Sequence, residues 1–162
     1  MLYISNIDVI GVELGGALKN PLAIGAGMVE GMGMGINTMA AYVTRSSLEL
    51  QNLCQAMGGN AATISGLSGV GDLMLTAFGD ASRNRSLGKR LCRGESVETI
   101  TQTMTVEGVP TAIVAVRFAD KCGLDLPIFR TVKAILSGEM EVKDANAHLM
   151  GRPLSSEMAS SR

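Results

Sequence analysis

Ala17-Leu18-Lys19-Asn20-Pro21-Leu22-Ala23-Ile24-Gly25-Ala26-Gly27-Met28-Val29-Glu30-Gly31-Met32-Gly33-Met34-Gly35 is the stretch on which the fold turns. Leu18, Leu22, Gly25, Val29 and Gly33 recur at helical spacing, so a helix is predicted over 17–35. Its glycines each cost roughly 1 kcal/mol against alanine inside a helix. Such a helix needs tertiary packing to exist, and the return is close approach by neighbouring helices or by a ligand. The apolar run from Pro21 to Val29 is cut by Glu30, well short of the ~20 residues a membrane span needs.

Upstream, Tyr3 to Leu14 is rich in Ile and Val with Asp8 and Glu13 interspersed, which predicts an extended lead-in strand. Downstream, Asn37 is the expected N-cap of a helix whose Met39, Tyr42, Val43, Leu50, Leu53, Cys54 and Met57 form a core stripe until Gly58-Gly59 stop it. Asn60 caps a short turn, and Gly66-Leu67-Ser68-Gly69-Val70-Gly71-Asp72 reads as a glycine-rich loop. Ser82 and Ser96 are the next caps. Further helices follow, one with Val109, Ile113 and Val116 inward to Lys121, one from Pro127 with Ile128, Val132, Ile135 and Leu136 buried, and a last one over Val142 to Leu149. Seven or more helices with almost no strand predict an all-α multi-helix bundle. The expected organisation is a lead-in over 1–14, a helical domain over 15–150 and a frayed polar tail over 151–162.

A chain of 162 residues suits one core, and 46 % hydrophobic against 18 % charged residues is a globular composition. With 11 Met, 3 Phe, 2 Tyr and no Trp, that core should be aliphatic and methionine-rich. The 14 Lys+Arg nearly balance 15 Asp+Glu, which argues against nucleic-acid or anionic-membrane binding driven by net charge. Any anion site must be local. Cys54, Cys92 and Cys122 are far apart and His148 is the only histidine, so neither a zinc site nor a disulfide framework is expected. With no secretory peptide visible, a soluble protein in a reducing compartment is expected.

Three places collect polar residues that an aliphatic bundle does not need. Lys19, set among small and apolar residues, has its charged form disfavoured by desolvation and so suits proton exchange near neutral pH. The alternative is a snorkelling lysine with a packed stem and a wet head. Asp72 and Thr76, four apart, share a helix face, and a carboxylate near Lys19 would orient the ammonium; equally, Asp72 could simply cap a helix. Ser82-Arg83-Asn84-Arg85 joins a hydroxyl, a guanidinium and free amides at the positive end of a helix dipole, as a phosphate requires, or it is a solvated helix start. Glu107 alone reads as a surface charge. No GxxxxGK[ST] is present, and the GxG pairs never continue to GxGxxG or GxGxxA, so the main cradle of any nucleotide cofactor is not expected in this chain.

Gly11-Val12-Glu13-Leu14-Gly15-Gly16-Ala17-Leu18-Lys19-Asn20, Gly66-Leu67-Ser68-Gly69-Val70-Gly71-Asp72-Leu73, Ser82-Arg83-Asn84-Arg85 and Val106-Glu107-Gly108 resemble, in order, the signatures of NAD(P)-dependent glycerol-3-phosphate dehydrogenase. In that family a Rossmann domain precedes an all-α substrate domain of the 6-phosphogluconate dehydrogenase type, and the chain resembles only the second. The resemblance implies that Lys19 is the general acid/base toward dihydroxyacetone phosphate, oriented by Asp72. It implies that Asn20, Asp72 and Thr76 line the substrate pocket, that Ser82, Arg83 and Asn84 hold the glycerol phosphate, and that Arg83 and Glu107 reach the NAD or NADP. The isolated chain is expected to give no turnover without a dinucleotide-binding domain, which would also carry a second family lysine. A homodimer is expected because relatives of this kind form one. The competing readings are another dehydrogenase of the 6-phosphogluconate or 3-hydroxyacid type, and a non-catalytic helical interaction module. The compartment is expected to be the cytoplasm or an organelle matrix.

Overall fold

Asp8 decides where the first helix begins. In the computed structural model, which describes residues 6–152, α1 (Val9–Gly31) starts immediately after it. The Asp8 carboxylate accepts hydrogen bonds from the amide of Gly11 at 2.9 Å, the amide of Asn60 at 2.8 Å and the hydroxyl of Thr63 at 2.7 Å. These bonds hold its carboxyl below the usual carboxylate range. The lead-in strand is therefore corrected to helix from Val9 onward, while Tyr3, Ile4 and Ser5 lie outside the described residues. The β-branched residues that suggested a strand are tolerated, because Val9, Ile10 and Val12 stay exposed while Gly11 and Gly15 face the protein. A Cβ at Gly15 would stand 2.3 Å from the carbonyl oxygen of Ser68, so at this point the helix can only present glycine to its neighbour.

From Asn20 to Val29 every residue of α1 is buried, so the helix runs through the middle of the domain. Around it pack α2 (Ile36–Ala56), α4 (Asp72–Phe78), α5 (Arg83–Leu91), α7 (Gly108–Lys121) and α8 (Pro127–Leu136). The glycines are explained by helix approach. A Cβ on Gly27 would lie 2.0 Å from the carbonyl oxygen of Arg85, and one on Gly88 would lie 2.0 Å from that of Ile24. The α1 and α5 backbones thus touch directly. A helix buried all round also divides the core: Leu18, Leu22 and Val29 join Leu50, Leu53 and Phe129 on one side, and Ile24 and Met28 join Leu87, Ile100 and Val132 on the other.

Elsewhere the caps mark most boundaries. Asn60 caps α3 (Ala61–Ile64), Ser82 caps α5, and Ser96 caps α6 (Val97–Thr103). Asn37 does not cap α2. Gly35, extended after the left-handed turn at Gly33 (φ 70°), occupies that position without a side-chain bond, which places Asn37 inside the first turn. The expected glycine loop is instead a π-helical turn, Leu67–Gly71, leading directly into α4. Ile113 is 40 % exposed, and the buried face of α7 is made by Ala112, Ala115, Val116 and Ala119, whose small side chains let the helix lie close to its neighbours. A 3-10 turn (Val142–Asp144) introduces α9 (Ala145–Met150), and of the expected tail residues 153–162 lie outside the described part. No helix among the described residues is long and apolar enough to cross a membrane.

Candidate active site

Because α1 begins at Val9, Lys19 stands in the body of a helix and not at its entry, with its direction fixed by a rigid backbone. Its ammonium meets the Asp72 carboxylate at 2.5 Å, the two side chains being 19 % and 30 % exposed. Asp72 is the first residue of α4 and makes no capping bond there. Its side chain is thus free for the lysine. Thr76, one turn on, donates its hydroxyl to the backbone carbonyl of Asp72 at 2.6 Å and leaves that carboxylate alone.

A cleft of about 380 Å³ opens over this pair. Lys19, Asn20, Asp72, Thr76, Ser82, Arg83, Asn84 and Glu107 all line it, so the structure brings together the residues singled out in the sequence except Arg85. Leu75, Gly79, Asp80, Ala81 and Thr105, which carried no motif, complete the wall. Asn84 is occupied at both ends of its amide: it donates to Asn20 Oδ1 at 2.9 Å and accepts from the Gly108 amide at 2.9 Å. It ties α5 to α1 and to the start of α7. Asn20 keeps only long contacts from its amide nitrogen, 3.4 Å to Glu107 Oε2 and 3.4 Å to the Gly16 carbonyl, and that N–H₂ remains available to a ligand.

At the opposite wall, the Ser82 hydroxyl accepts from the Arg85 amide at 3.2 Å, and the remaining first-turn amides of α5 have no partner within the helix. Arg83 is exposed there, and none of the ion pairs among the described residues involves it. Arg85, two positions on and so about 200° round the helix, turns away from the cleft into the protein. Its guanidinium bonds the Gly79 carbonyl and the Asp80 carboxylate, each at 2.9 Å, and meets Glu30 of α1 at 2.6 Å. Hydrogen bonding to Arg85 holds the Asp80 carboxyl below the usual carboxylate range. The residues by themselves left the two arginines undivided, and the family resemblance alone gave a role to Arg83; the available signals were helical phase and Glu30, the one charge in the apolar stretch of α1 from Pro21 to Gly31.

Gly25, Gly27 and Gly31 are spent on packing, since a Cβ on each would collide with Tyr42, Arg85 or Cys92, whereas Gly33 and Gly35 have open space around them.

Comparison with known proteins identifies the family. The family described as NAD-dependent glycerol-3-phosphate dehydrogenase C-terminus matches residues 8–147. The glycerol-3-phosphate dehydrogenase [NAD(P)+] of Paracidovorax citrulli is 46 % identical over 158 residues, 96 % of this chain and 46 % of that protein. That of Desulfovibrio desulfuricans is 48 % identical over 155 residues, 94 % of this chain and 47 % of the relative. The crystal structure of glycerol-3-phosphate dehydrogenase from Coxiella burnetii superposes with a TM-score of 0.86 at 36 % identity, covering 91 % of this chain and 46 % of that one. The chain thus spans about half the length of the relatives it matches. With the all-α fold and the motif residues gathered in one cleft, the chain belongs to the NAD-dependent glycerol-3-phosphate dehydrogenase C-terminal family.

Proposed function

We propose that this chain is the substrate-binding, catalytic-lysine half of a glycerol-3-phosphate dehydrogenase that interconverts sn-glycerol 3-phosphate and dihydroxyacetone phosphate. The observation that carries the reading is the 2.5 Å Lys19–Asp72 pair in the same cleft as the start of α5 and the exposed Arg83. A phosphate at the α5 amides would neutralise Arg83 and meet the positive end of the helix dipole. With the phosphate there, the carbon chain extends toward Lys19, and the Asn20 amide hydrogen-bonds a hydroxyl. Lys19 gives its proton to the carbonyl oxygen of dihydroxyacetone phosphate as that carbon is reduced, and in the other direction takes the proton of the secondary hydroxyl. Asp72 keeps the ammonium aimed and compensates its charge. NAD or NADP, when bound, supplies the hydride or accepts it. In this reading the cofactor rests on a dinucleotide-binding domain, with Arg83 and Glu107 touching it from this side.

The same reading includes a homodimer, for which the exposed Ile113, Val114 and Phe118 on α7 offer an apolar surface. The free thiols of Cys54, Cys92 and Cys122 suit the reducing environment of a cytoplasm or organelle matrix.

The test is calorimetric titration of the chain with sn-glycerol 3-phosphate beside Arg83→Ala and Lys19→Ala at matched ionic strength. Arg83→Ala should weaken binding by about tenfold or more, the scale of a charge-assisted contact to phosphate. Equal affinity in wild type and Arg83→Ala would overturn the phosphate assignment. Supplying a family dinucleotide-binding domain in trans should then restore turnover to wild type and not to Lys19→Ala.

A further inference from the structure

We propose that Arg85, held by Glu30, is a positioning residue that sets the Gly79–Ser82 wall of the cleft. The inference rests on the substrate reading above for its consequence, but its geometry stands apart from it. The Arg85 backbone is pinned first: its carbonyl oxygen lies where a Cβ on Gly27 would fall, and its amide is bonded to Ser82. The side chain is only 11 % exposed and reaches back over the start of its own helix. One terminal nitrogen bonds both the Gly79 carbonyl and Asp80, and the other meets Glu30, whose second oxygen takes the Lys89 ammonium at 2.7 Å. Arg85 and Lys89 lie four apart on α5, so both converge on one carboxylate of the central helix.

The guanidinium therefore links three things: the middle of the domain, the start of α5, and Gly79 and Asp80, the first two of the three residues that lead from α4 into Ser82. Gly79 to Ser82 lies outside the helices and forms the cleft wall beside Arg83. Among the described residues, the side-chain hydrogen bonds and ion pairs of this segment all run to Arg85, which in turn meets α1 at Glu30. Asp80 is 97 % exposed and cannot fix itself, whereas the Gly79 carbonyl is gripped from inside. A planar fork is required, because one group must face Glu30 with one nitrogen and Gly79 with the other. Lysine could satisfy either partner, not both. Arg85 touches no substrate in this account; it acts through Ser82 and Arg83, which it places.

The experiment compares the wild-type chain with Arg85→Lys and Glu30→Gln by amide hydrogen exchange and by calorimetry with sn-glycerol 3-phosphate. Neither Glu30 nor its other partner Lys89 lines the cleft, so an effect of Glu30→Gln on affinity would be indirect, with Arg85 the one Glu30 partner bonded to the wall. Both variants should speed exchange at the wall amides that are hydrogen-bonded, those of Gly79 (to the Leu75 carbonyl) and of Arg85 and Ser86 (to Ser82), while amides within α7 and α8 keep their protection. Both should also weaken glycerol 3-phosphate by about tenfold, the scale of one charge-assisted hydrogen bond. Unchanged exchange in the wall, or unchanged affinity with the wall loosened, would overturn the proposal. Should the wild-type chain bind no glycerol 3-phosphate, the substrate reading fails and exchange alone decides. Wall amides freed in Arg85→Lys would then uphold the positioning role, and wall amides still protected would end it.

Discussion

Asp72 and Glu49 both stand at helix starts, and the protein treats them in opposite ways. Asp72 opens α4, stays 30 % exposed and meets one cation, Lys19, at the edge of an open cleft. Glu49 comes from α2 to the start of α8, is 7 % exposed, and accepts from the amide of Ile128 at 2.9 and 3.1 Å and from that of Phe129 at 3.1 Å. Burial pushes the Glu49 carboxyl up to about 7, helped by nearby Asp125 and opposed by those amides and by Arg45. Proximity to a helix dipole is therefore not what makes a carboxylate functional. Glu49 spends its oxygens on the fold, whereas Asp72 spends one on a lysine that a ligand can also reach.

The largest effect that would break this contrast is at the cleft. Lys19→Met, in the enzyme assembled with a dinucleotide-binding domain, should lower turnover by about 10³-fold, within the range for loss of a general acid/base. Thermal melting should hardly move, because Asp72 is open enough to be hydrated. A variant with near-normal turnover would remove Lys19 from the chemistry, and one that failed to fold would show the Lys19–Asp72 pair to be structural like Glu49.

At the sealed end the expected loss is in stability. Glu49→Ala strands the amides of Ile128 and Phe129 at the start of α8 and should cost about 3 kcal/mol. Glu49 also makes stability depend on pH in a direction opposite to the usual carboxylate. Its folded pKa of about 7 lies above the 4.5 of an unperturbed glutamate, so between those values the native state binds the extra proton. Stability from this group is fully present below about 4.5 and is lost as pH rises through about 7. The loss is on the order of 3 kcal/mol. Denaturant melts of wild type and Glu49→Gln across that window should diverge, the wild type falling and the variant, which has no proton to lose there, staying flatter. Parallel curves would show that Glu49 ionises in the fold as easily as in the unfolded chain.

The same contrast marks what could be read in the sequence. Lys19, Asp72, Thr76 and the Ser82–Asn84 run were legible because polar residues in an aliphatic helical pattern demand an explanation, and the structure gathers them in one cleft. Glu49 was not legible: an acid within an amphipathic helix looks solvated, and the partners that bury it lie 79 and 80 positions away. The error at the lead-in has a local cause, since the Ile/Val content of residues 3–14 outweighed a cap. Asp8 with Gly11 three residues later was the available signal, and its partners Asn60 and Thr63 were again distant. Helical phase together with Glu30 could have separated Arg85 from Arg83.

The smallest effect tests whether the two ends are as independent as the contrast implies. Tyr42, on the Glu49 side of the domain, donates its hydroxyl to the Leu22 carbonyl of α1 at 2.8 Å and sits where a Cβ on Gly25 would fall. Tyr42→Phe keeps the ring and removes one neutral hydrogen bond, worth about 1 kcal/mol, or a melting shift of about 3 °C for a chain of this size. The Leu22 carbonyl is left with its own intrahelical acceptor role, so no buried group is orphaned. Leu22 is three residues from Lys19 on the same rigid helix, yet the cleft is built from the other direction, by α4 and α5. Glycerol 3-phosphate affinity in Tyr42→Phe should therefore match wild type within twofold (~0.4 kcal/mol). A larger drop would mean that α1 transmits strain from the sealed end to the open one, and the stability of Glu49 and the reactivity of Lys19 would then have to be read as one coupled system.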